Sequence, residues 1–262
     1  MFNKDELILD KIRSLSMNDL STGELLCRLT SLEDPSLQCT AEGDEITDAV
    51  GALITTLYRA KKATLSATNS LLSLGLAAEQ YGTKKELGSS ENKIPTWTYE
   101  IITIPTGANS ITLSHVPTND IKYIYPITNG EISGTSYVAG AEASATEFVI
   151  NKETKTITLP TGATGKIYVE YEYEVEDAVR IRNRASQFPE ACSVRVYAYF
   201  RDKCNENIVY SGVIICPKAK LNPEQIELAL TSTGKHAFEL NMMKDYCEDE
   251  NNDELFSIIV SK

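Results

Sequence analysis

The sequence predicts a mainly β protein, an antiparallel β-sandwich or barrel with one helix packed on it. An N-terminal helical arm and an additional β region in the middle complete the predicted fold. Short segments of alternating apolar and polar residues recur along most of the chain, separated by glycine, proline or asparagine turns. Helical spacing occurs in only two segments. Because strands rarely alternate with helices, a parallel α/β architecture is excluded.

The first helical pattern lies at the N-terminus, in residues 4–14. Acidic residues come early in this segment and a basic residue comes late, in the order that the helix dipole favours. The apolar positions that share one helical stripe are Leu7, Ile8, Ile12 and Leu15. We therefore expect residues 1–19 to form an arm whose helix packs on its own domain or on a neighbouring subunit.

From Gly23 onward the spacing of apolar residues becomes that of strands. The first predicted strands are GELLCRLTSL, SLQCTAEG and the two halves of ALITTLYRAKKATLSATNS, which meet near Lys61 and Lys62. The second helical pattern follows at once, in TNSLLSLGLAAEQYG, and its apolar positions include Leu71, Leu72 and Leu76. With Thr68 or Asn69 as the N-cap and Gly82 as the stop, the sequence predicts a helix from Asn69 to Tyr81.

After a polar loop over residues 83–95, strands and turns predominate as far as residue 175. The segment KIYVEYEYEV alternates strictly, which places Ile167, Val169 and Tyr171 on one face and acidic residues on the other. The carboxylates expected to line a solvent-exposed surface or a channel are Glu170, Glu172 and Glu174. Strand patterns continue towards the C-terminus, with an acidic loop predicted at 247–254.

These patterns divide the chain into three regions. We expect the arm over residues 1–19, a β-barrel or sandwich built from residues 20–94 and 177–262, and an inserted or additional all-β region over residues 95–176.

The formal net charge of −12 argues against nucleic-acid binding, which needs a clustered basic face. The one basic cluster, Arg180, Arg182 and Arg184, has strand spacing and is interpreted as a solvated face or as partners for the abundant carboxylates. No apolar run approaches the roughly 20 residues of a membrane-spanning helix. Acidic residues stand where a secretory signal has its apolar core, so we expect the protein to stay in the cytoplasm where it is made.

The sequence also lacks catalytic and metal-binding motifs. No CxxC pair occurs among the six cysteines, and Cys27, Cys192 and Cys216 lie in apolar segments, which predicts buried, reduced thiols. The two histidines, His115 and His236, lack the spacing of paired metal ligands, and no P-loop, GxSxG or dinucleotide-binding motif is present. We therefore predict a protein that is not an enzyme and that needs no cofactor and no metal.

Aromatic residues of the middle region allow a second interpretation. Those compatible with a sugar-binding surface are Trp97, Tyr99, Tyr123 and Tyr125. Cross-strand packing in the core is the simpler explanation of all four.

Two segments carry a family resemblance. The first is LTSLEDPSLQCTAEGDEITDAVGALITTLYRAKKATLSATNSLLSLGLAAEQYGTKKE, with successive strands, a basic connector and a helix that ends in small residues. The second is VRVYAYFRDKCNENIVYSGVIICPKAKLNPEQIELALTSTGKHAFELNMMKDY, in which a strand pair leads to a Lys/Pro connector and a final hairpin. In these features the chain resembles the phage tail tube, or major tail, protein family over about residues 20–90 and 177–260, and residues 95–176 depart from a minimal tube subunit.

The resemblance implies a structural virion protein that is assembled in the host cytoplasm. Tail tube subunits are β-sandwiches or barrels that close into rings, usually hexameric, and the rings stack into a tube. The implied partners are further copies of the chain and other virion tail proteins, with no membrane. DNA is implied only as non-specific cargo through an acidic lumen, because like charge removes the attraction that would retain its phosphates.

Particular residues acquire roles under this resemblance. The arm 1–15 and the loops 40–51 and 83–95 are expected to contact neighbouring rings, and deletion of residues 1–15 should block polymerisation while the subunit stays folded. The candidate inter-subunit contacts are Leu7, Ile8, Ile12, Leu71, Leu72 and Leu76. The candidate acidic lumen or solvent face consists of Glu170, Glu172 and Glu174.

Two alternatives stay open. A head–tail connector, a tail terminator or a capsid decoration protein has a similar β content and acidity, but connectors and terminators stop at one ring. A carbohydrate-binding or adhesin module would use the aromatic residues of the middle region, and retention on polysaccharide would distinguish it.

Overall fold

The computed structural model describes residues 5–132, 135–205, 207–224, 226, 235–245 and 253–261. The chain divides into two compact units, residues 1–85 with 181–262 (the first unit) and residues 86–180 (the second unit). Most of the predicted acidic loop at 247–254, with Cys247, lies outside the described residues. Strands predominate over helix throughout the described part, so the predicted mainly β class is confirmed.

In chain order the elements are β1 (Leu7–Asp19), β2 (Leu25–Leu29), β3 (Leu32–Thr47), β4 (Leu53–Asn69), α1 (Leu74–Gln80), β5 (Glu86–Leu87), β6 (Ile94–Thr103), β7 (Ser110–Thr112), β8 (Tyr123–Thr128), β9 (Glu131–Ile132), β10 (Tyr137–Ala139), β11 (Glu147–Asn151), β12 (Thr156–Thr158), β13 (Lys166–Val175), β14 (Val179–Arg180), β15 (Ala191–Asp202), β16 (Val209–Leu221), β17 (His236–Met242) and β18 (Ser257–Ser261).

One antiparallel sheet builds the first unit. Its strand order is β2-β1-β15-β16-β17-β4-β3, and β18 pairs with β16 as well. Leucine, valine, alanine and methionine side chains fill its core together with the thiols of Cys27, Cys192 and Cys216. Removal of this apolar surface from water is the main stabilising contribution to the unit.

Residues 7–19 form a strand, so the predicted N-terminal helix is wrong. This strand, β1, lies between β2 and β15 and pairs with β15 from Leu7 to Asp19. Register shifts between Leu9 and Lys11 and between Ile12 and Ser14 interrupt the alternation of faces. Because two bulges change which side chains face inward, the apolar residues acquire a spacing that imitates a helical stripe.

The segment predicted as two strands meeting near Lys61 and Lys62 is one continuous strand, β4. The predicted break lies next to an irregularity, because Ala60 has φ +52° and the register with β3 shifts between Thr40 and Glu42. A bulge of this kind bends a strand without ending it.

Helix α1 is shorter than the sequence predicts. It begins at Leu74, and the Ser73 hydroxyl caps it by accepting from the Leu76 N–H at 3.2 Å. Asn69 is the last residue of β4 and pairs with His236 of β17, so it is not the N-cap. The predicted stop is confirmed, since Gly82 follows the helix with φ +62°.

The second unit contains its own sheet and its own core. The strand order is β6-β13-β8-β10-β11-β12-β7, with β9 paired to β8, and β5 pairs with β14 separately. Strand β13 alternates as predicted, because Ile167, Val169 and Tyr171 are fully buried. Its other neighbours in the core include Phe148 and Ile157.

Candidate assembly surfaces

The β3–β4 hairpin extends well beyond the core of the first unit. Buried positions on β4 begin at Ala63, and among residues 40–62, which we call the hairpin arm, only Thr56 is even partly buried. At about 3.3 Å per residue, strands of this length project by roughly 30 Å. Two-stranded ribbons with both faces in water are marginally stable. The hairpin arm is therefore a candidate contact surface.

The tip of the hairpin arm is a defined turn. The Asp48 carboxylate accepts from the Val50 N–H at 3.0 Å and from the Ala52 N–H at 2.8 Å. Gly51 adopts φ +87°, which suits a residue without a Cβ atom. Along the strands, Arg59 pairs with Asp44 at 2.5 Å and Lys62 with Glu42 at 3.2 Å. These contacts hold an ordered hairpin.

Apolar side chains on the hairpin arm are exposed to an unusual degree. They are Ile46 (42%), Val50 (89%), Leu53 (58%), Ile54 (64%), Leu57 (58%) and Tyr58 (76%). Exposed apolar side chains concentrated on one projection in this way indicate a site of protein contact.

A groove on the outer face of the first unit carries three arginines. Arg13, Arg28 and Arg195 line a cavity of about 450 Å³, and its other lining residues include Ser14 and Ser16. Both serines are buried, so short side chains of β1 form the floor and the arginines form the walls. Within the described residues, none of the three guanidinium groups pairs with a carboxylate. We call this surface the arginine groove.

The sequence did not predict this groove, because Arg195 on β15 lies far along the chain from Arg13 on β1 and Arg28 on β2. The cluster that it did predict is not a shared strand face, since β14 ends at Arg180. Arg180 donates to Glu86 from Nε at 2.8 Å, while Arg182 and Arg184 lie beyond the strand. Only knowledge of the β2-β1-β15 pairing would have brought the groove residues together.

The predicted inter-subunit contact residues divide into two groups. Leu71 and Leu72 are exposed (62% and 59%) in the turn before α1, and Ile8 is 45% exposed. Leu7 and Ile12 are half-buried, and Leu76 is fully buried in the core of the first unit. Leu76 therefore has no surface to offer a neighbouring subunit.

The predicted acidic row lies on the outer side of β13. Glu170 and Glu174 are exposed and Glu172 is half-buried. The register places Glu172 opposite Trp97 and Glu170 opposite Tyr99 on β6.

Core packing does not explain most of the aromatic residues that the sequence suggested for a sugar-binding surface. Trp97 is 60% exposed, Tyr99 63% and Tyr123 49%, and Tyr125 is half-buried. Their strands present these side chains on the face opposite the core. The simpler interpretation made from the sequence is therefore wrong for Trp97, Tyr99 and Tyr123.

Buried reactive groups in the first unit have structural environments. Burial raises the pKa of the Cys27, Cys192 and Cys216 thiols to about 12, which keeps them protonated. His236 is fully buried, its Nε2 lies 2.6 Å from Gln80 Oε1, and burial lowers its pKa. The Gln80 amide also donates to the Ala237 carbonyl at 3.0 Å, so this pair anchors α1 to β17.

The part of the chain that the structure describes contains neither a cluster of metal ligands nor a membrane-spanning helix. No group of three or more His, Cys, Asp or Glu side chains there could hold a metal ion. Within the same part of the chain, no helix is both long and apolar enough to cross a membrane.

The antiparallel sheet, the projecting hairpin arm and the exposed apolar surface together define a β-structural protein with surfaces suited to protein contact. A family model described as the YomU/Tube protein family matches residues 7–255. Because the match covers nearly the whole chain, the protein belongs to the YomU/Tube family. Membership confirms the resemblance to phage tail tube proteins and indicates a structural component of the phage particle. No curated protein matches the chain.

Proposed function

We propose that the protein is a tail tube subunit that closes into rings, most simply hexameric, and stacks them into a tube through the hairpin arm. The observation that carries this proposal is the exposed apolar surface of the hairpin arm. Burying one such aliphatic side chain contributes about 1–2 kcal/mol. Several of them on one ordered projection would therefore drive association with a neighbouring copy.

The charges of the first unit support the same arrangement. The hairpin arm carries Glu42 and Asp44, which pair with cations of the arm itself, and Glu45 and Asp48 nearer its tip. The arginine groove carries three cations without a described carboxylate partner. Desolvated arginine–carboxylate pairs fix the register of an interface. In our proposal the groove accepts carboxylates from a neighbouring subunit, while Leu71 and Leu72 add apolar contacts.

The lumen of the proposed tube is formed by the sheets of the first units. The net charge of −12 suits passage of DNA, because an acidic wall repels phosphates and prevents retention. We place Glu170, Glu172 and Glu174 on the solvent face of the second unit instead, since they lie among exposed aromatic side chains. In this arrangement the second unit is an insertion that contributes no strand to the lumen.

Substitution on the hairpin arm tests the proposal. Leu53 and Leu57 are both replaced by threonine, which keeps the strand propensity and removes apolar surface. The matched control replaces Leu87 and Val116, apolar residues of similar exposure (63% and 53%) in the second unit. We expect tubes from the control, and folded monomers or single rings from the hairpin-arm variant, in negative-stain microscopy.

Tubes from the hairpin-arm variant at wild-type concentrations would contradict the assigned role of the hairpin arm. Wild-type protein that stops at one closed ring would favour a connector or a terminator instead. Attachment to the outside of capsids without self-assembly would favour a decoration protein.

A further inference from the structure

The second unit presents a continuous aromatic surface that the proposed tube function does not use. Its residues, which we call the aromatic face, are Trp97, Tyr99, Tyr123, Tyr125 and Tyr168. They project from the neighbouring strands β6, β13 and β8, on the side opposite the core of Ile167, Val169 and Tyr171. The register aligns Tyr168 with Ile101 on one side and with Tyr125 on the other.

The rings of this face are ordered relative to one another. Tyr99 stacks on Tyr168 with 5.6 Å between ring centroids and 21° between ring planes. Tyr125 lies 6.4 Å from Tyr168 at 58°. Trp97 and Tyr99 are two residues apart on one strand, so their Cα atoms are separated by roughly 7 Å. The result is a row of rings along an exposed sheet.

Carboxylates accompany the rings at fixed positions. Glu172 is the cross-strand neighbour of Trp97, and Glu170 is that of Tyr99. The Tyr168 hydroxyl donates to Glu170 Oε2 at 3.4 Å. In the described part of the chain, no lysine or arginine forms an ion pair with Glu170 or Glu172. Trp97 and Tyr99 therefore each have a carboxylate without a described ion-pair partner directly across the strand.

The charges decide which ligand suits this surface. Two copies that met through the aromatic face would bring Glu170, Glu172 and Glu174 against like charges, which costs free energy. Phosphates of a nucleic acid would meet the same repulsion. A neutral polyhydroxyl ligand avoids both costs, because its hydroxyls donate charge-assisted hydrogen bonds to the carboxylates. Its apolar C–H faces pack on the rings.

We propose that the aromatic face binds a neutral polysaccharide chain. Trp97 and Tyr99 would stack against successive sugar rings, and Glu172 and Glu170 would accept hydrogen bonds from the sugar hydroxyls. Such a site lies outside the assembly machinery of the first unit, and it gives the second unit a role that tube formation does not require.

Trp97 makes the test direct, because it is the single tryptophan of the chain. The full chain is titrated with hydroxyethylcellulose, laminarin, dextran and soluble chitin oligosaccharides, and the tryptophan emission is followed. We expect a saturable change in emission with at least one of these probes. Retention of the protein in native gels that contain the same polymer should accompany it.

Variants connect that signal to the face. Tyr99→Ala should weaken binding about tenfold through the lost ring contact, and Glu170→Gln by a smaller factor. The control Phe188→Ala removes a 63% exposed aromatic ring of the first unit and should leave binding unchanged. Circular dichroism establishes that each variant is folded.

Three outcomes would overturn the proposal. The first is an unchanged emission and no retention with every polysaccharide. The second is a response only to a basic polypeptide such as polylysine, which would identify a cationic protein surface as the ligand. The third is burial of Trp97 on self-association without any polysaccharide, which would make the aromatic face a subunit interface. All three outcomes concern the aromatic face, whereas the hairpin-arm variants test assembly through the first unit. A failure of those variants to assemble would therefore leave the polysaccharide proposal untouched.

Discussion

The two units solve the same packing problem and leave different surfaces exposed. Each buries one face of a sheet over its own core, and the described pairings are antiparallel except for the parallel β10–β11 pair of the second unit. The first unit exposes apolar residues on a projection, the hairpin arm, where strands β3 and β4 run past the end of the core. The second unit exposes aromatic rings with carboxylates on the outer face of the sheet itself. An ordered apolar projection suits insertion into another protein molecule, whereas a flat aromatic and acidic face suits a polyhydroxyl ligand.

Removal of residues 1–15 should have the largest effect and should be confined to the first unit. The deletion removes most of β1, including Leu15, which is 1% exposed, and with it the pairing of β1 with β15 from Leu7 to Leu15. We expect the first unit to lose its cooperative unfolding transition, while Trp97 emission still reports a folded second unit. This differs from the expectation drawn from the sequence, under which the deletion blocks polymerisation alone. A deletion protein with wild-type stability of both units would restore that earlier interpretation.

Gly82→Ala should destabilise the first unit by at least about 3 kcal/mol. Gly82 has φ +62°, and a Cβ atom there would lie 2.1 Å from the Phe188 carbonyl oxygen. Gly23→Ala is the matched control, because Gly23 has φ +72° and no atom within 4 Å of the added carbon. The control should cost about 1 kcal/mol through backbone strain alone. Equal losses in thermal or urea unfolding would contradict the role given to the Phe188 contact.

The fold and the candidate surfaces could be predicted from the sequence only where the contacts that determine them are local in the chain. The strict alternation of β13 identified its buried residues, because no bulge interrupts its pairing with β6. The prediction failed for β1, because two bulges give its apolar residues a helix-like spacing. It failed for the start of α1, because β4 continues as far as Asn69, which pairs with His236. The arginine groove depends on which strands pair, which composition does not encode. Strand β6 has apolar residues on both faces, and its two aromatic residues are on the exposed one, so alternation alone did not identify the covered face.

Tyr171→Phe should destabilise the second unit by about 1–3 kcal/mol. The Tyr171 hydroxyl donates to Glu100 and accepts from the His115 N–H at 3.1 Å, so its removal leaves both groups without that partner. Burial, followed by the hydrogen bond to Glu100, raises the pKa of Tyr171 to about 12, which keeps its hydroxyl protonated at neutral pH. Tyr173→Phe, two residues along the same strand, is the control. A stability loss as large for the control, measured by Trp97 emission in urea, would argue against the network.

Acidification should have the smallest effect and should act on the first unit through His236. Its pKa is lowered by burial below the ordinary 6.5, so the unfolded chain binds the proton more readily than the folded one. The stability contribution is therefore present above about pH 6.5 and lost as the pH falls. His236→Asn should weaken the dependence of the melting temperature on pH between 7.5 and 5, and His115→Asn, at an exposed site, should not. An unchanged dependence in the His236 variant would exclude this histidine as its source.

The central claim, assembly of tubes through the first unit, is tested most directly by negative-stain microscopy of the purified wild-type chain, with light scattering across a concentration series. We predict scattering that rises steeply above a threshold concentration, together with stacked rings that enclose a central channel. A strict monomer at the highest concentration, with no rings on the grid, would contradict the account.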